Sequence, residues 1–179
     1  MRQNTHNTSA LQHDHRTRSS LRSFARQHAL SSFIRVLADR LKQMHSLKIP
    51  PLLKLQPGVV LADAVELEVL LTNLLKNASE AAACADIPYV ELYMDTLPNG
   101  AVKLTITNSC QPLTPAEQEA LSSPLHSSKE NGLGLGLAVV RSIAERNETD
   151  LLLSEDVPGI FRAVLTFQPT DPRQEGAAP

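Results

Sequence analysis

The chain has 179 residues, 42% of them hydrophobic but only 3% aromatic and none tryptophan: room for one domain with a core of Leu, Val, Ile and Ala, and little for a second. Lys and Arg number 17 against 19 Asp and Glu, a formal net charge of −2, which excludes a broad positive field that would hold nucleic acid by its phosphates. Two cysteines, Cys84 and Cys110, make neither a disulfide framework nor a thiolate zinc site; with no apolar run near the roughly 20 residues of a membrane helix, and no apolar block in "MRQNTHNTSALQHDHRTR" to act as a secretory signal, the expectation is a soluble, cytoplasmic chain.

The first eight or so residues, and residues 169–179, are polar or rich in Pro, Gly and Ala and are expected to be poorly ordered. Residues 9–48 contain neither Gly nor Pro, and Leu21, Phe24, His28, Phe33, Val36, Leu37, Leu41 and Met44 recur at mostly helical spacing, predicting one long helix or two abutting ones. "IPPLLKLQPG" ends that pattern and holds a short strand. Asp63 followed by Glu66 reads as an N-cap with a capping-box partner, opening "DAVELEVLLTNLLKNASEAAA". Its apolar arc is Leu67, Leu70, Leu71, Leu74, Ala78, Ala81 and Ala82. Glu68, Thr72, Lys76 and Ser79 fall on the opposite, solvent side, and Glu66, Asn73, Asn77 and Glu80 form a stripe along one border of the arc.

Two alternating runs follow, "YVELYMD" and "AVKLTIT", joined by "LPNG" as a hairpin. Thr114, Pro115 and Glu117 mark a short capped helix. "GLGLGLAVVRSIAERN" puts Gly132, Gly134 and Gly136 directly before a helix that packs through Val139, Val140, Ile143 and Ala144, and "LLLSEDVPGIFRAVLTF" closes the chain with two strands around a Pro-Gly turn. The order predicts an α+β protein, a two-layer α/β sandwich with helices on one face of a mixed, largely antiparallel sheet.

Glycines before a helix admit two readings: a close connection between packed elements, or a backbone that an anion approaches at the helix N-terminus. It is not a Walker A loop, because no Gly-Lys-Ser/Thr follows. The border stripe is likewise either a solvated helix edge or a set of hard, neutral amide oxygens of the kind Mg²⁺ accepts alongside water and phosphate. Asparagine is a poor interior helix residue, so a pair of them one turn apart asks for a reason.

"LLTNLLKNASEAA" resembles the N-box, and "SSKENGLGLGLAVVRSIAE" the second glycine box, of the histidine-kinase branch of the gyrase, heat-shock chaperone, kinase and MutL ATPase superfamily. The resemblance covers roughly residues 30–168. It implies the Bergerat ATP-binding fold over 30–168, preceded by an N-terminal helical segment over 1–29 as a shortened dimerisation region. It further implies Asn77 on Mg²⁺, Asn73 and Glu80 near the phosphates, Lys129 in an ATP lid, and Gly132, Gly134 and Gly136, with Leu133 and Leu135 between them, against the phosphates of ATP. Hydrolases of the superfamily carry a glutamate base where this chain has Asn73, so the resemblance favours a histidine kinase, with a response regulator as partner, a homodimer in the full-length context, and no role for nucleic acid. "ALQHDHRTR" resembles a phosphoacceptor box with His13 as acceptor. The first glycine box, normally Asp-x-Gly-x-Gly, is here "TNSCQP", with Asn108 in place of the adenine-reading aspartate. An amide presents either its oxygen or its NH₂, so the expectation is weak ATP binding, a narrowed preference over GTP, and tighter binding in Asn108→Asp. The alternative is a docking module of the same fold that binds nucleotide weakly or not at all, as anti-sigma factors and phosphotransfer proteins of this fold do.

Overall fold

The computed structural model describes residues 26–122 and 135–170. Strand β1 (Arg26–Ala29) is followed by helix α1 (Leu30–Gln43), strands β2 (Leu52–Leu55) and β3 (Val59–Ala62), helix α2 (Ala64–Ala82), strands β4 (Val90–Thr96) and β5 (Val102–Ser109), helices α3 (Pro115–Ser122) and α4 (Leu135–Arg146), and strands β6 (Asp150–Val157) and β7 (Ile160–Phe167). Five strands form the main sheet in the order β2-β4-β5-β7-β6, with β2 parallel to β4 and every other pair antiparallel. Strands β1 and β3 make a separate antiparallel ribbon.

The hairpin appears where its sequence puts it. Val90, Leu92 and Met94 of β4 and Val102, Leu104 and Ile106 of β5 are all buried on one face, while Lys103 and Tyr93 point the other way into solvent, the alternation of a sheet covered on one side. The turn closes by Leu97 N–H to Ala101 O and Gly100 N–H to Leu97 O, both at 2.8 Å.

Helix α2 starts as its sequence predicts: Asp63 Oδ1 accepts from the N–H groups of Val65 at 2.9 Å and Glu66 at 3.0 Å, two donors that the helix itself cannot satisfy. Glu66 does not close a capping box. Its carboxylate instead takes Arg146 Nε at 2.7 Å and Asn147 Nδ2 at 2.6 Å, and Asn147 Oδ1 accepts from Asp63 N–H, so the start of α2 is tied to the end of α4. The predicted arc is buried, with Ala81 half-buried.

Three sequence expectations are corrected. Residues 26–29 are a strand: register pairs run from Arg26↔Ala62 to Ala29↔Val59, and helix begins only at Leu30, whose N–H bonds Gly58 O at 2.9 Å. His28 therefore lies on β1, edge-on to the Phe33 ring, and α1 buries Leu30, Ile34, Leu37, Ala38 and Leu41 rather than Val36 or Met44, which are exposed. Ser79 is not on a solvent face; it is 1% exposed, and its Oγ accepts from Ile49 N–H at 2.8 Å. Leu75 is buried on the same side, because α1 and the chain leaving it cover α2 opposite α4, with Arg40 of α1 ion-paired to Glu68 of α2. Val139 of α4 is exposed, and Leu137 is buried in its place.

Ser79→Ala distinguishes the two placements. On a solvent face it is neutral or slightly stabilising; in this fold it strands the Ile49 N–H and lowers unfolding free energy by about 1–3 kcal/mol in denaturant titration.

Candidate functional site

Helices α2 and α4 lie side by side and antiparallel, with Gly136 near Asn73 and Asn77 at one end of the contact and Arg146 and Asn147 bound to Glu66 at the other. Gly136 is the second residue of α4, not a residue before the helix as its sequence suggested. A methyl placed on it would stand 3.3 Å from Asn73 Oδ1 and 3.3 Å from Asn77 Nδ2, closer than a carbon normally sits. Both asparagine side chains thus face the first turn of α4, where backbone N–H groups have no partner within the helix. Both readings of this glycine meet here: it permits close helix packing, and what it packs against is the polar stripe.

Asn73 donates its Nδ2 to Val69 O at 2.7 Å, a bond one turn back along its own helix, which leaves Oδ1 as the atom turned toward Gly136. Asn77 is half-buried and Glu80 is exposed one turn further on. The donor set is neutral amide oxygen, and among the described residues no group of three or more His, Cys, Asp or Glu could hold a metal ion. A cation at Asn77 would therefore take most of its ligands from water and a bound phosphate, which is how Mg²⁺ is usually held.

Beside the stripe a cavity of about 70 Å³ is lined by Leu74, Asn77, Ala78 and Ala81 of α2, Ile106 and Asn108 of β5, Cys110 and Leu113 of the chain leaving β5, Leu137 of α4, and Phe161 and Ala163 of β7. It is an apolar slot with few polar groups, a lining suited to a flat organic ring. Asn108 continues the inward alternation of Val102, Leu104 and Ile106 and is 2% exposed. Its Nδ2 donates to Ser109 O at 2.8 Å. Only the NH₂ can make that bond, and no donor among the described residues reaches Oδ1, so Asn108 offers the cavity an acceptor. The sequence expectation that the amide serves either way is narrowed by this one neighbour: a flipped amide sets two oxygens against each other.

Cys110 is half-buried. Burial first, and then the charge of Glu155, push its thiol above the usual range against a backbone hydrogen bond at Phe161, so it is a neutral wall of the cavity at neutral pH. Burial pushes the carboxyl of Glu155 up, but hydrogen bonds from Gly159 N–H, Gln118 Nε2 and Leu113 N–H outweigh it and leave Glu155 below the usual carboxylate range. Cys110 stood out in the sequence only as part of the altered glycine box; Glu155 had no local signal at all.

Asn73, Asn77, Asn108 and Gly136 are brought together, and Glu80 is exposed on the same helix as the two asparagines. Leu135 opens α4. His13, Lys129, Gly132, Leu133 and Gly134 lie outside the described residues. No helix among the described residues is long and apolar enough to cross a membrane.

A family model for the histidine kinase-, DNA gyrase B- and HSP90-like ATPases matches residues 62–171. The sensor histidine kinase ZraS of Klebsiella oxytoca is 29% identical over 122 residues, 67% of this chain and 26% of that protein. The C4-dicarboxylate transport sensor protein DctB of Rhizobium meliloti (strain 1021) is 34% identical over 83 residues, 46% of this chain and 13% of that protein. The matches thus span about a quarter or less of these curated relatives. Among solved structures, a catalytic domain of histidine kinase ThkA superposes with a TM-score of 0.65 at 20% identity over 82% of this chain and 96% of that one. The mycobacterial sensor histidine kinase MprB gives 0.63 at 21% over 82% and 99%. The α+β sandwich, the helix order and the five-stranded sheet agree with that fold, and with the match over more than half its length the chain belongs to the histidine kinase-, DNA gyrase B- and HSP90-like ATPase family.

Proposed function

We propose that this chain is the ATP-binding catalytic domain of a cytoplasmic sensor histidine kinase. The observation that carries the reading is the meeting of three features on one edge of α2: two amide side chains, the first turn of α4 against them, and an apolar cavity with a buried acceptor beside them. Adenine occupies the cavity with its amino group donating to Asn108 Oδ1. The phosphates run toward Asn73, Asn77, Glu80 and the start of α4, where Leu135 and Gly136 stand, and Lys129, Gly132, Leu133 and Gly134, which lie outside the described residues, are the further phosphate contacts of this reading. Mg²⁺ on Asn77 supplies neutralisation of phosphate charge.

In the transfer, the Nε2 lone pair of a histidine attacks the γ-phosphorus in line, the bond from that phosphorus to the bridging oxygen breaks, and ADP leaves with the electron pair. The acceptor is His13 or a histidine of a partner, the full-length protein works as a homodimer, and the phosphoryl group passes to a response regulator. Asn73 has no proton-accepting capacity at neutral pH, so it does not activate water, which favours transfer over hydrolysis. A docking module of the same fold is the second reading, and the glycine-free stretch Asn-Ser-Cys-Gln-Pro at the end of β5 and beyond it is what speaks for it. Titration of the full chain with MgATP separates the two.

Asn77→Ala keeps the fold, because the side chain lies at the edge of the buried arc, and loses Mg²⁺-dependent nucleotide binding; calorimetric titration that finds parental affinity refutes the site. Incubation with γ-labelled ATP gives acid-labile, alkali-stable label that His13→Gln removes without changing ATP affinity; label that persists puts the acceptor elsewhere. Because Ser109 O holds the Asn108 amide, ATP binds better than GTP by about tenfold or more, as expected when a buried acceptor meets a donor rather than another acceptor. For the same reason Asn108→Asp does not tighten ATP binding: it sets a carboxylate against a carbonyl at a buried position, and its unfolding midpoint falls. Equal affinity for ATP and GTP in the parent removes Asn108 from base recognition.

A further inference from the structure

The chain leaving β5 forms one wall of the cavity through Cys110 and Leu113, yet it contains no glycine and holds no regular structure between Ser109 and α3. Its N–H groups are few, since Pro112 has none. Cys110 N–H donates to Gly159 O at 2.9 Å. Leu113 N–H donates to both oxygens of Glu155, at 3.1 and 3.2 Å. The same carboxylate accepts from Gly159 N–H at 2.8 Å and from Gln118 Nε2 of α3 at 2.9 Å. One side chain on β6 thereby joins the cavity wall, the β6–β7 turn and α3.

We propose that Glu155 is a positioning residue for nucleotide binding, which holds residues 110–113 as a fixed wall of the cavity. The inference rests on reading that cavity as the seat of the base. Glycine-rich backbone follows a ligand at low steric cost; this stretch lacks that freedom, and its shape comes from the Pro112 ring, the Cys110–Gly159 bond and the Glu155 carboxylate. Gly159 is part of the same device. Its φ is +81°, in the region that suits glycine, and a methyl on it would stand 3.3 Å from Cys110 O, so the turn presses directly on the wall. Charge adds to geometry: an ionised acceptor makes stronger bonds to backbone N–H groups than a neutral one, and the three donors converge on it from the cavity wall, the β6–β7 turn and α3. With the carboxylate gone, Leu113 N–H has no acceptor among the described residues, the wall samples other positions, and nucleotide binding then carries the cost of ordering it.

The test uses the full chain, with Glu155→Ala and Glu155→Gln compared with the parent well below their unfolding midpoints. MgATP affinity is measured by calorimetric titration, and opening of the wall by amide hydrogen exchange at Leu113 and Gly159. The expected result for Glu155→Ala is exchange at Leu113 faster by about tenfold or more, as for an amide that has lost its acceptor, with MgATP affinity lower by about fivefold or more. Glu155→Gln, which keeps one acceptor oxygen, falls between and serves alone if the alanine variant does not fold. Faster exchange with affinity within about twofold of the parent overturns the proposal, since Glu155 then only holds the fold together. Unchanged exchange at Leu113 overturns it too. A parent that does not bind MgATP overturns the nucleotide reading itself and this role with it, an outcome that the parent titration tells apart from a failure of Glu155 alone.

Discussion

Helix α2 is covered on three sides, and most of the domain follows from that. One side lies on β4 and β5, another against α4, a third against α1. Leu67, Leu70, Leu71, Leu74 and Leu75 are each at most 3% exposed, and at about 1.5–3 kcal/mol for each fully buried leucine they are a large part of what opposes chain entropy in a domain of this size. A helix enclosed in this way cannot rotate. Lys76 and Glu80 lie on its open side, and Asn73 and Asn77 come out where α2 meets the first turn of α4. The polar stripe is thus fixed by the core beside it, not by its own hydrogen bonds, of which Asn73 makes one, back to Val69 O.

The second helix of the pair is held from both ends. Gly136 lets its first turn approach α2 to a distance that a side chain would prevent, and Glu66 holds its last turn through Arg146 and Asn147. The ion pair is partly exposed, with side-chain accessibilities of 38% and 26%, so its value lies less in stability than in fixing the slide of α4 along α2. Each end uses a different physical means, steric permission at one and directional bonds at the other, and together they set how far the N-terminus of α4 stands from the asparagines.

Where one period or one cap decides the structure, the sequence was legible: the alternation in β4 and β5, the Asp63 cap, the Thr114–Glu117 box, in which Glu117 takes both the N–H and the hydroxyl of Thr114, and the leucine arc of α2. Strands β1 and β3 were not, because four residues each leave no room for a period and their pairing joins residues 30 to 36 positions apart. Ser79 was misread because a single-helix projection counts one core face, and α1 supplies a second. Glu66 looked like a local cap partner but is used by residues 80 and 81 positions away. Of the candidate site, the asparagine stripe was readable from spacing; the Ser109 carbonyl that orients Asn108 was not, since any backbone carbonyl looks alike in a sequence.

The proposed site divides its work between a neutral side and a fixed one. At the phosphate side the amides and the helix N-terminus meet negative charge without adding any and without accepting a proton, and the one acidic residue there, Glu80, is exposed to solvent. At the base side it offers a buried acceptor held by Ser109 O and a wall held by Glu155. The carboxylate at the cavity wall, Glu155, is turned onto backbone N–H groups and Gln118 rather than left open to the cavity. That matters because an uncompensated negative charge beside a triphosphate weakens its binding, whereas one already spent on three donors contributes rigidity with little field to spare. In this reading a stretch without glycine from Cys110 to Leu113 still walls a base pocket, on the condition that a charge elsewhere in the sheet holds it in shape.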